Sequence, residues 1–426
     1  MAIVPLFDYN GTRLHAHGSC SFRITAYGEN MTCDLDQLID RRRSDSVKWN
    51  RYEPDVLPLW VADMDFLSPE PVRRALHERV EHGVFGYGHD SHELCQIVAE
   101  RMQRLYGWRV AVEALMLMPG VVSGFNLAVR ALTQPGDGVL IQTPVYPPFL
   151  HAPAHAGCVS DEMELTHRPD GSYSVDFELF ERAISARTRI FILCNPHNPV
   201  GRVFSRQELE AMADICLRNN MAICSDEIHC DLVLPGHQHV PIASLSPEVE
   251  RQTITLIAPS KTFNIPGLHC SLAVVPDAGL RQRLRDAAAG MVGDVNVLGQ
   301  VAALAAYRDG QPWLDAVLDY LQTNCDLLSE YLGDHLPSIQ MAKPEATYLG
   351  WLDCRRLALQ GSPYEFFLSQ ARVALNDGAL FGRGGEGYVR LNFACRRATL
   401  LEALARMKQA VDAHQAAKKN AGASSA

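Results

Sequence analysis

Three polar residues stand where apolar runs end, and their types suit one kind of chemistry. Lys261 follows Thr253-Ile254-Thr255-Leu256-Ile257-Ala258 and precedes Thr262-Phe263-Asn264-Ile265-Pro266-Gly267. Asp226 follows Ala222-Ile223-Cys224-Ser225, and Asn198 lies in Asn195-Pro196-His197-Asn198-Pro199 after Phe191-Ile192-Leu193-Cys194. An amine can form a Schiff base, a carboxylate can keep a ring nitrogen protonated, and an amide can donate to a ring oxygen. Together these are the needs of pyridoxal 5'-phosphate. Tyr146, after another strand-like run, offers an aromatic face for the ring. Taken singly, each residue has an ordinary explanation: a surface lysine, a helix-capping aspartate, an Asn-Pro turn, a core tyrosine. At successive strand ends and in this order, the set is specific.

A phosphate would need its own cradle. Gly120-Val121-Val122-Ser123 follows an apolar run and opens a helical pattern, so the backbone N–H groups of Val121 and Val122 could hold an anion. Ser260 adds a hydroxyl beside the lysine. Arg390 lies inside Tyr388-Val389-Arg390-Leu391-Asn392-Phe393, where a buried charge needs a partner. A substrate carboxylate gripped bidentately would serve, and so would a structural ion pair. Gly382-Arg383-Gly384-Gly385-Glu386-Gly387 fits G-x-G-x-x-G, but a strand pattern follows it rather than a helix, so it reads as a turn. His151 and His155 are separated by Pro153 with no carboxylate cluster nearby. His237 and His239 have no better support, and no metal site is expected.

The elements that must position these residues alternate. Strands are predicted at Gly138–Gln142, Arg189–Cys194, Ala222–Ser225, Thr253–Ala258 and Cys270–Val275. Helices are predicted over 71–82, over 123–133 and from Ser205, where Glu208 completes a capping box. Runs that are apolar on both faces imply an α/β fold with a mostly parallel sheet covered on both sides. Ligands gather at the carboxyl ends of such strands, where Asn198, Asp226 and Lys261 fall. Helices at 298–307 and 313–332 lead to a different rhythm, with strands at 346–353 and 388–393 and helices at 363–371 and 399–414. This is expected to be a smaller α/β C-terminal domain (316–413) beside a large cofactor-binding domain (71–315). Residues 1–30 read as an irregular leader, and 31–70 as a segment packing on the small domain. The Arg41-Arg42-Arg43 cluster in it reads as a solvated face. Residues 414–426 read as a disordered tail.

Bulk properties narrow the field. The 426 residues carry 39 basic and 49 acidic side chains, a formal charge of −10, with no long basic block. That argues against nucleic acid or an anionic membrane surface as partner. No run reaches the roughly 20 apolar residues of a membrane span. The 12 cysteines are scattered, several inside apolar runs, so a reducing, cytoplasmic setting is expected.

The chain resembles the fold-type I pyridoxal-phosphate enzymes of the class I/II aminotransferase superfamily, and within them the MalY/PatB group of cystathionine β-lyases. The segments that carry the likeness are Ile39–Arg42 with Asp45–Trp49, Leu57–Phe66, Gly83–Tyr87, Asp226–Leu232 and Ser260–Leu268. The resemblance implies a homodimer with shared sites, Tyr87 reaching the partner's phosphate, Trp60 at the substrate entrance and His229 beside the cofactor. It implies β-elimination of a cysteine S-conjugate, with Lys261 as base and Arg390 on the substrate carboxylate. Amino transfer to a keto acid is the alternative outcome of the same residues, and a partner-binding regulatory role is another. The superfamily's usual phosphate-binding Ser and Arg around the lysine are replaced by Ala258 and His269, which shifts weight to Ser260 and the 120–123 turn.

Overall fold

The computed structural model describes residues 34–423; the leader at 1–30 lies outside them. Seven strands form the main sheet in the order Leu115–Met118, Ser271–Val274, Thr253–Ile257, Ala222–Asp226, Thr188–Cys194, Gly138–Thr143, Val159–Glu164. All run parallel except Ser271–Val274, which is antiparallel to both neighbours. The strands Gly138–Thr143, Thr253–Ile257 and Ser271–Val274 are buried along their whole length, which explains their continuous apolar runs. The edge strand Val159–Glu164 carries Asp161, Glu162 and Glu164 and is half-exposed. Its polarity hid it from the apolar-run reading.

Helix Val121–Leu132 crosses the sheet with Phe125, Leu127, Ala128 and Val129 buried. Its approach is close enough that a Cβ at Gly124 would lie 2.9 Å from Leu256 Cδ2. Arg206–Arg218 begins at the expected capping box, with Ser205 and Glu208 bonded reciprocally. Helices His92–Tyr106, Pro147–His155, Phe177–Ala183 and Ala278–Ala288 were not anticipated; Pro153 sits inside the second of them.

A second, antiparallel sheet has the order Leu349–Asp353, Tyr388–Asn392, Asn376–Asp377. Its register places Arg390 opposite Trp351 on one side and Asn376 on the other. The 25-residue helix Gln311–His335 buries Trp313, Leu321 and Leu328 and packs on the terminal helix Arg397–Ala423. Leu57–Pro58 pairs in parallel with Val373–Ala374, which stitches the N-terminal segment into this part of the molecule.

Two expectations are corrected. The terminal helix continues to Ala423, through residues read as a disordered tail. Ala, Gln and Lys are strong helix formers even where they supply no apolar stripe. The arginine cluster is not a uniform solvated face, because only Arg43 is largely exposed. Arg41 bonds Asp63 at 2.7 Å and Asp65 at 2.6 Å, and Arg42 donates to the carbonyls of Trp49 and Val56, both at 3.0 Å.

Candidate active site

Lys261 is delivered by the short helix Pro259–Thr262, directly after the buried strand Thr253–Ile257. Its Nζ donates to the Ala62 carbonyl at 2.6 Å. The Tyr348 hydroxyl, fully buried, donates to the same oxygen at 2.9 Å. Burial first, and then the positive charge of Arg390, push the lysine down to about 8, against the opposing pull of Asp63 and Asp226.

Asp226 ends its strand, paired with Cys194 on one side and Leu256 on the other. It is 4% exposed, and its Oδ1 accepts from the Ile228 amide at 3.0 Å. Burial pushes its carboxyl up to about 7, helped by Glu227 and opposed by that amide and by Lys261. Glu227 points the other way. Its carboxylate accepts from the Ser225 hydroxyl at 2.8 Å and meets His239 Nε2 at 2.8 Å, all of them buried.

Arg390 is 4% exposed, and none of its hydrogen bonds goes to a carboxylate. Nη1 donates to Asn198 Oδ1 at 2.9 Å, and Nη2 to Asn376 Oδ1 at 2.6 Å and to the Trp60 carbonyl at 3.1 Å. The guanidinium lies 5.0 Å from the Phe381 ring centroid, and its Nε has no protein partner. Desolvation lowers it to about 10. The structural ion pair considered for this residue is absent among the described residues. Because an arginine can only donate, Asn198 must turn its oxygen toward Arg390, which leaves its amide nitrogen for another acceptor.

Tyr146 is half-buried with its backbone N–H on the Asn198 carbonyl at 3.1 Å, and burial raises its phenol while Arg390 opposes. His229 is buried edge-on to Tyr348 at 6.1 Å with Nδ1 unpartnered. Burial, then Lys261 and Arg390, lower it to about 3, so it is neutral near pH 7. Gly120 adopts φ +119 and its N–H is held by Ser271 Oγ at 3.2 Å. Helix Val121–Leu132 therefore starts with the N–H groups of Val121 and Val122 lacking intrahelical acceptors and with no acidic residue in its first turn. The Val121 side chain is core and that of Val122 is exposed, so only their backbones could serve a ligand. Ser260 is half-buried with no side-chain hydrogen bond among the described residues. Trp60 is half-buried, its Nε1 on the Lys48 carbonyl at 3.2 Å. Tyr87 is fully exposed and does not join the cluster within one chain.

The sequence reading missed several members. Consecutive carbonyls of Trp60–Asp63 meet Arg390, Asn392 and Lys261: Asn392 Nδ2 donates to Val61 and Asp63 at 2.6 and 2.7 Å. Main-chain contacts leave no residue-type signal. Tyr348 reads as one more residue of the strand at 346–353, and Asn376 lies in none of the predicted elements. Among the described residues no group of His, Cys, Asp or Glu could hold a metal. His155 instead meets Asn126 at 2.9 Å.

The arrangement fits pyridoxal phosphate on its own terms. Asp226 is a desolvated carboxylate without a cationic hydrogen-bond partner, suited to a protonated ring nitrogen. Lys261, Asn198 and the open helix start at Val121 supply an amine, an amide donor and an anion cradle.

A sheet with this order and a lysine at its carboxyl edge defines a class, and the comparison of sequences agrees. Residues 54–407 match the aminotransferase class I and II family, and the chain belongs to it. It is 40% identical to cystathionine beta-lyase PatB of Bacillus subtilis over 390 residues, 89% of this chain and all of that one. A solved structure of OvoB superposes with a TM-score of 0.85 at 46% identity, over 89% and 99% of the two chains. Cystalysin from Treponema denticola, whose crystal structure contains pyridoxal 5'-phosphate, gives 0.86 at 33% over 90% and 99%.

Proposed function

We propose that the protein is a pyridoxal-phosphate-dependent carbon–sulfur β-lyase that splits cystathionine or a related cysteine S-conjugate into a thiol, pyruvate and ammonia. The observation that carries this reading is the buried, carboxylate-free Arg390, bonded to Asn198 and to the wall carbonyl of Trp60, two residues from the carbonyl that holds the desolvated Lys261. The similarity to the cystathionine beta-lyase PatB supports the lyase outcome.

When bound, pyridoxal phosphate supplies an aldehyde that binds the substrate amine and a ring that accepts the electron pair left at the substrate Cα. Arg390 holds the substrate α-carboxylate, with Asn198, Asn376 and the Trp60 carbonyl fixing the plane of its guanidinium. Lys261 would take the substrate Cα proton on Nζ. Its lowered pKa leaves a useful neutral fraction near pH 7, and the Ala62 carbonyl orients it. When the cofactor is bound, Asp226 would set a negative charge against the ring nitrogen, the Asn198 amide would donate to the ring oxygen, and Tyr146 would offer its aromatic face. The backbones of Val121 and Val122 and the Ser260 hydroxyl would hold the phosphate. His229 would be a neutral polar neighbour.

The wider reading has residues 71–315 as the cofactor domain, 316–413 as the small domain, and a cytoplasmic homodimer in which Tyr87 completes the partner's site. No helix among the described residues is long and apolar enough to cross a membrane.

The test is to mix purified protein with L-cystathionine and assay pyruvate, ammonia and homocysteine. All three should appear in equal amounts and should be lost in Lys261→Ala together with the cofactor's visible absorbance. Keto-acid-dependent amino transfer with no pyruvate from any cysteine S-conjugate would sink the lyase reading.

A further inference from the structure

We propose that Arg51 selects substrates whose departing thiol half carries an anionic group. This rests on the lyase reading and adds to it the chemical class of the leaving group. The segment from Trp60 to Ala62 is a wall of the site, because its carbonyls hold Arg390, Asn392 and Lys261. Trp60 is the outer end of that wall. Its ring meets Tyr52 edge to face at 6.0 Å, and Tyr52 Oη lies 3.2 Å from Tyr364 Oη. The exposed Arg51 guanidinium sits over both rings, 5.4 Å from the centroid of Trp60 and 5.9 Å from that of Tyr52. Two aromatic faces hold the cation in place without discharging it.

Arg51 has no hydrogen bond or ion pair among the described residues. The nearby carboxylates are occupied elsewhere: Glu53 and Asp55 pair with Arg372 at 3.2 and 2.7 Å. Asp377, which shares the surroundings of Tyr364 with Arg51, caps its own turn through the Ala379 amide at 3.2 Å. Trp60 thus has a guanidinium free of carboxylates at each end, Arg390 buried at its backbone and Arg51 exposed at its ring. A cysteine S-conjugate held by its α-carboxylate at Arg390 extends its sulfur substituent along Trp60. A carboxylate or similar anion on that substituent meets Arg51.

The test compares S-(2-carboxyethyl)-L-cysteine with its neutral amide, S-(2-carbamoylethyl)-L-cysteine, as substrates of the holoenzyme. The wild type should favour the acid in kcat/KM by about five-fold, the upper end for a solvent-accessible ion pair, and less so at high salt. Arg51→Gln should abolish the preference, mainly through KM, while Arg51→Lys keeps part of it. Equal values for the two conjugates in the wild type overturn the proposal, as does an Arg51→Gln variant that lowers both equally. If neither conjugate releases pyruvate, the lyase reading is judged separately, on L-cystathionine and the other cysteine S-conjugates. Dissociation constants read from the cofactor's absorbance then decide the role of Arg51. An acid preference lost in Arg51→Gln sustains it, and equal constants overturn it.

Discussion

Burial sets the proton affinities of the two central groups in opposite directions, and the protein without cofactor bears the cost. Asp226 is raised to about 7, so the folded chain holds a proton between about pH 4 and 7 that the unfolded chain releases. Stability therefore falls as pH rises through that window. Lys261 is lowered to about 8, so the unfolded chain binds the extra proton above that value, and stability is regained as pH rises from about 8 to 10.5. Asp226→Asn removes the first cost. The cofactor-free variant should melt above wild type at pH 8 and level with it near pH 4, with a gain of at most about 4 kcal/mol. Yet it should bind pyridoxal phosphate more weakly, because the carboxylate proposed to face the ring nitrogen is gone. Thermal melts at the two pH values, with and without cofactor, check both parts. Asn376 governs another charge. Its oxygen holds Arg390 at 2.6 Å without neutralising it, and Asn376→Asp would put a carboxylate there. KM for amino-acid substrates should rise about ten-fold or more, with a smaller change in kcat, because the lost interaction is substrate binding. Lys261, Asp226, Asn198 and Arg390 were legible because each breaks an apolar run. Asn376 follows only the short run Val373-Ala374-Leu375 and opens Asn376-Asp377-Gly378, a turn-like triplet in which an asparagine does not stand out.

At the level of elements, the loop after Lys261 is fastened to the N-terminal segment at Asn264, whose carbonyl also accepts from the Ser68 hydroxyl at 2.9 Å. Asn264 accepts from the Met64 amide at 2.9 Å and donates to the carbonyls of Met64 and Phe66 at 3.0 and 2.8 Å. Its φ of +55 suits asparagine better than most residues. Asn264→Ala loses all three bonds and strains the backbone, and should cost about 2–4 kcal/mol in urea unfolding. Asn264→Gly, which keeps the dihedral, should recover part of that but not the bonds. The strands carrying the site were readable because burial on both faces gives unbroken apolar runs, and helix Arg206–Arg218 was readable from its capping box. The antiparallel direction of Ser271–Val274 was not, since strand composition does not encode direction. Helix His92–Tyr106 buries Leu94, Cys95, Val98 and Met102, but polar residues dilute the pattern.

Across the whole molecule, the N-terminal segment is anchored by charge. Lys48, 1% exposed, meets Asp65 at 2.8 Å, and Asp65 also takes Arg41 at 2.6 Å and the Trp49 indole at 2.8 Å. None of this was visible in a chain where Arg41–Arg43 looked like surface, because ion pairs between distant residues have no local period. A second surface remains open in the single chain: Val84, Phe85 and Tyr87 are exposed together, beside a cleft lined by Val297, Val301 and Leu304. If a second copy covers them, Phe85→Asp should shift the sedimentation coefficient from dimer to monomer and weaken cofactor retention as Tyr87 leaves the neighbouring site. An unchanged dimer would remove the shared-site reading. The peptide groups of Trp60, Val61 and Ala62 carry a different consequence. They hold Arg390, Asn392 and Lys261 through atoms that every amino acid possesses, so the grip survives when the side chains there are exchanged. The pocket can change what it accepts at these positions without loosening what it does, and a lineage of related enzymes could diversify its substrates along this stretch while the chemistry stays in register.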